Sequence, residues 1–99
     1  MNPAVGYRDA AMRLSGITGA IEANEIDEPV ARQAAIECLE GLSHWVAEPA
    51  VRSALAALVT RLQQAASLNA DKVRELAAVV GGMARREEEF QASLGGAWG

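Results

Sequence analysis

Apolar residues in this chain recur every three or four positions, and two prolines, Pro29 and Pro49, mark where the pattern restarts. Such spacing gives a helix one stripe to bury and gives a β-strand no alternating face. β-branched residues form no run, and alanine, the strongest helix former, supplies much of the hydrophobic half of the composition. The pattern predicts an all-α fold: a small bundle of three or four helices with short connections, with a long C-terminal helix as a variant. Ninety-nine residues make one domain with a modest core.

A first helix is expected from Tyr7 to Ala23, with Tyr7, Ala10, Ala11, Leu14, Ile17 and Ile21 on its buried face. A second stripe, Met12, Gly16, Gly19 and Ala23, runs beside it. Each interior glycine costs roughly 1 kcal/mol against alanine. That cost implies either a broken helix or close approach of another backbone.

The second helix is expected from Pro29 to Ala47, capped by Asp27 or Glu28, with proline in its favoured first-turn position. Val30, Ala31, Ala34, Ala35, Cys38, Leu39, Leu42, Trp45 and Val46 share one half of its wheel, which assigns Trp45 to the core. Ile36 alone is apolar on the other half. Continuing this phase past Pro49 would put Val51, Leu55, Leu58 and Leu62 roughly 150° from that face. The residue before a proline also avoids helical backbone, so a turn at Glu48 is predicted. A third helix from Pro49 then buries Val51, Ala54, Leu55, Leu58, Val59, Leu62, Ala65 and Ala66.

The fourth helix is expected from Ala70 to Leu94. Asn69 is placed to cap it, and Leu68 and Val73 to form a hydrophobic staple. Val73, Leu76, Val80, Met83, Phe90 and Leu94 form its seam, with Glu87 in the same series. The third and fourth apolar faces are nearly in phase. One helix of about 45 residues is therefore an alternative, and its seam would need a second chain. Ser67-Leu68-Asn69-Ala70-Asp71 reads as a helix start and favours a hairpin. Gly95-Gly96 is expected to end the pattern. The domain is then 1–94 and residues 95–99 a flexible Gly-rich tail, whose Trp98 is either free or docked in a pocket.

No residue set demands catalysis. Glu37, Glu40 and His44 share a helix face at metal-ligand spacing, but they lie opposite the apolar face, where a solvated surface explains them. Cys38 falls on the buried side of the same helix and His44 on the exposed side, which separates nucleophile from base. Phosphate-binding glycine loops and zinc spacings are missing from the sequence. Neither an enzyme, a cofactor nor a metal is expected.

The net charge is −4, with nine basic residues spread along the chain, and this argues against nucleic acid and anionic membranes. A helix-turn-helix DNA-binding regulator is a weak third reading, since the third helix offers only Arg52 and Arg61. No apolar stretch approaches the ~20 residues that span a bilayer. One cysteine and no apolar leader in Met1–Ala11 point to the cytoplasm. Richness in Ala, Arg and Gly with a single lysine is associated with bacterial, high-GC genomes.

The expected function is a non-enzymatic protein-binding module: a small adaptor, inhibitor or chaperone-like regulator acting through exposed helix faces. Its candidate contact residues are Met83, Glu87, Phe90 and Leu94 on the fourth helix, and Met12, Gly16 and Gly19 on the first. The partner is another protein or the chain's own copy; a self-assembling homodimer through the same seam is the alternative.

Overall fold

The computed structural model describes residues 3–98, with side chains through Leu94. Among the described residues four helices form: α1 Pro3–Glu22, α2 Glu28–Ser43, α3 Pro49–Gln64 and α4 Ala70–Trp98. No strand is present among the described residues.

Local chemistry fixes the boundaries. Asn24 takes left-handed backbone (φ 57°) at the end of α1, and the amides of Asn24 and Glu25 turn back to the carbonyls of Ile21 and Ala20. Asparagine tolerates that conformation better than most residues, and the paired bonds satisfy carbonyls the helix end leaves free. Asp27 Oδ1 accepts from the Val30 amide at 3.1 Å, and Pro29 occupies the first turn of α2. Glu48 is extended, as a residue before proline should be, and α3 starts at Pro49. Asn69 Oδ1 accepts from the Lys72 amide at 2.9 Å, with Leu68 and Val73 both buried beside it. The hairpin between α3 and α4 therefore holds, and the single long helix does not form.

Every packed neighbour is antiparallel. Arg8 pairs with Glu88 at one end of the α1–α4 pair, and Arg74 with Glu22 (2.9 Å) at the other. Cys38 Sγ donates to the Ala10 carbonyl between α2 and α1 (3.5 Å). Between α2 and α3, the Arg32 guanidinium donates to the carbonyls of Leu62 and Ala65, the latter at 2.8 Å. The spatial order is α4–α1–α2–α3. Backbones approach closely across the first three junctions, but α3 and α4 stand apart. Leu14, Leu39, Leu55, Val73 and Val80, with at least one from each helix, are fully enclosed.

Several sequence expectations need correcting. Trp45 is not core: it is 49% exposed. Helix α2 stops at Ser43, and the amides of His44 and Trp45 bond to the carbonyls of Gly41 and Leu42 in a tighter turn. That takes Trp45 off the wheel and lays it over Gly6 of α1. Ile36 is buried, because α2 packs on α3 as well as α1 and so has two inner faces. Val30 is exposed. Ala54 is also exposed, since α3 has no close neighbour on the α4 side, and Ala66 is exposed because α3 ends at Gln64 and leaves it in the connection. The first helix begins four residues earlier than expected, at Pro3, and continues through Gly16 and Gly19 without a break.

Helix α4 has 29 residues, about 43 Å at 1.5 Å per residue, against 16 for α2 and for α3. It runs through Gly95 and Gly96 to Trp98, so the glycine pair does not end it. Side chains from residue 95 onward, Trp98 included, lie outside the described residues.

Candidate interaction surface

The surface that stands out is built from α4. Val79, Met83, Phe90 and Leu94 fall on one stripe of that helix, with Arg86 and Glu87 at its edges. Val79 is 48% exposed, Phe90 59% and Leu94 46%, while Met83 is half-buried against the core. Val79 is exposed in the gap between α3 and α4, and Phe90 and Leu94 are exposed because α4 runs on past the start of α3. The start of α3 lies beside Met83 and Arg86, with Ala50, Val51 and these two residues lining one depression. Past that point α3 covers nothing, and the neighbour shown for α4 is the first part of α1, where Arg8 holds Glu88.

The gap between α3 and α4 extends the stripe into a groove. Two depressions, of about 360 and 430 Å³, share Leu58, Arg61 and Val79 and so run into one another. The floor is apolar: Leu58, Leu62, Leu76, Val79 and Met83. Arg61, Lys72 and Arg86 line it, with Glu75 the single acid among the described residues. Among the described residues, Arg61, Lys72 and Arg86 form no ion pair with a carboxylate. Lys72 instead donates to the Ser67 carbonyl at 2.8 Å. Elsewhere Arg8, Arg13, Arg32 and Arg74 are matched to carboxylates, whereas among the described residues Arg52 and Arg85 are not. A protein of net charge −4 therefore carries a local basic groove.

Glu87 is half-buried and accepts from Gln91 Nε2 at 3.2 Å. Burial pushes the Tyr7 phenol above its ordinary value, the charges of Glu87 and Glu48 add to the rise, and Arg86 opposes them. The Arg8 hydrogen bond holds the Glu88 carboxyl below its ordinary value.

The other candidate stripe has a different character. Met12 is 74% exposed, and Gly16 and Gly19 are open, with nothing within 4 Å of where a side chain would begin. No backbone of this chain approaches them. The structure thus separates the seven sequence candidates. Met83, Glu87, Phe90 and Leu94 come together on one helix beside the groove, and Met12, Gly16 and Gly19 lie on α1.

Glu37, Glu40 and His44 are exposed. Among the described residues, no three His, Cys, Asp or Glu side chains are grouped to hold a metal. Cys38 is half-buried, and burial raises its thiol pKa, with Arg13 pulling it down and Asp9 adding to the rise. No helix among the described residues is long and apolar enough to cross a membrane. Sequence reasoning missed Arg61 as a groove residue and Arg32 as a clamp on α3. Both sit on the polar side of a single-helix wheel, and only the neighbouring helix gives them a role. The chain matches no family model, no curated protein and no solved structure.

Proposed function

We propose that this protein is a non-enzymatic binding module whose contact surface is the α4 stripe of Val79, Met83, Phe90 and Leu94 with the basic groove beside it. The observation that carries this reading is the exposure of Phe90 and Leu94 one turn apart on a helix that runs on past the start of α3. Large apolar side chains exposed together at a groove mark contact surfaces more often than scattered ones do. A helix-in-groove contact uses the same three- and four-residue spacing. Cytoplasmic action, with no cofactor, fits the single unpaired cysteine and the chemistry of the exposed residues.

A photo-crosslinking residue in place of Phe90 tests this in cells of the source organism. Adducts at position 90, and none from the same residue at exposed Ser53 on α3, are the expected result. Equal labelling at both positions, or none at either, would overturn the reading.

A further inference from the structure

The α4 stripe is close to symmetric about its own middle. Val79 and Met83 precede the peptide bond between Arg86 and Glu87 by the same number of positions as Leu94 and Phe90 follow it. Charge is distributed in the opposite way. Arg85 and Arg86 stand before the midpoint, and Glu87, Glu88 and Glu89 after it. A helix patterned like this matches an antiparallel copy of itself: apolar residues meet apolar residues, and bases meet acids.

The two halves also differ in surroundings. The first half, with Val79 and Met83, forms one wall of the basic groove that Arg61 and Arg86 line. The second half is an acidic helix end with Phe90 and Leu94 exposed. These are complementary surfaces, yet one rigid helix cannot fold its end back into its own groove. A second molecule can supply that end, and a two-fold axis lets each molecule fill the other's groove.

We infer that the occupant of the α3–α4 groove is the α4 end of a second copy, forming a two-fold antiparallel dimer. This rests on the α4 stripe being a binding surface at all. In the dimer, Phe90 of each copy lies over Met83 and Leu58 of the other, and Leu94 over Val79. Arg86 lies alongside the acidic run of the second copy, with Glu89 its nearest match on the same edge of the contact. That contact occurs twice. It gives Arg86 the carboxylate it lacks within one copy.

Sedimentation equilibrium of the purified full chain over a concentration series is the test. A dimer is expected, and Phe90→Asp should convert it to monomer with an unchanged far-UV circular dichroism spectrum. Arg86→Glu and Glu89→Arg should each weaken the dimer by about tenfold, as juxtaposed like charges do. An equimolar mixture of these two variants should recover wild-type affinity as a heterodimer, because every like-charge contact becomes an opposite-charge one. Wild-type monomer throughout the series, or failure of the mixture to recover affinity, would overturn the self-docking. Crosslinking from position 90 separates the two levels. An adduct with a different protein, alongside monomeric wild type, overturns the dimer and leaves the binding module standing; no adduct removes both.

Discussion

Arg8 near the start of α1 donates from two nitrogens to the Glu88 carboxylate of α4, eighty positions away in sequence. With Arg74 and Glu22 at the opposite end, this pair fixes α1 and α4 antiparallel along most of their shared length. Beyond this pair α4 continues through Glu89, Phe90 and Gln91 to Leu94, and Phe90 and Leu94 are exposed.

The pH dependence of stability should show this contact. The hydrogen bond from Arg8 lowers the Glu88 carboxyl, and that from Arg32 lowers Glu28. A carboxylate held low when folded stabilises the fold above its unfolded value and loses that contribution as pH falls through the folded value. Melting temperature should therefore drop as pH falls below about 4.5. Glu88→Gln, measured over the same range by circular dichroism, should show a shallower drop.

Gly16 and Gly19 are helical, exposed and unopposed. Gly16→Ala and Gly19→Ala should each stabilise the protein by about 1 kcal/mol, since alanine loses less entropy in a helix. Urea denaturation of each variant checks this. A destabilised variant would mean that another backbone does approach this stripe.

Arg32 reaches from α2 to the last carbonyls of α3, where a helix end leaves acceptors unfilled. Removing it as Arg32→Ala should cost about 2 kcal/mol, the scale of a hydrogen bond to a charged donor. Arg32→Lys should recover only part, since Lys brings one nitrogen where the guanidinium sets one on the two carbonyls and a second on Glu28. Chemical denaturation of the two variants separates these outcomes.

Much of this fold was legible in the chain. Pro29, Pro49, Asp27 and Asn69 act within a few residues of themselves, so their positions set the helix starts directly. The seam from Val73 to Leu94 follows from one period. What failed were judgements that depend on a helix having two neighbours or on where it stops. Ile36 looked misplaced because a wheel allows α2 one inner face, whereas α1 and α3 give it two. Trp45 looked buried because the wheel was extended past Ser43, where the backbone tightens. The groove lining was out of reach for the same reason: Arg61 and Val79 belong to different helices, and nothing in the spacing of either sets the gap between them.

Cys38 gives a chemical check on the α1–α2 contact. Its thiol donates to the Ala10 carbonyl and burial raises its pKa, so little thiolate forms near neutral pH. Alkylation by iodoacetamide should be markedly slower in buffer than in urea. Equal rates would mean that α1 and α2 open readily at this point.

The central claim is that the α4 stripe is a contact surface, and native mass spectrometry of the protein drawn gently from its own cells tests it most directly. The account predicts a complex of fixed stoichiometry, with a second copy or another polypeptide, that disappears when Phe90 and Leu94 are both replaced by alanine. A bare monomer from wild type, or a complex that survives the double replacement, would contradict it.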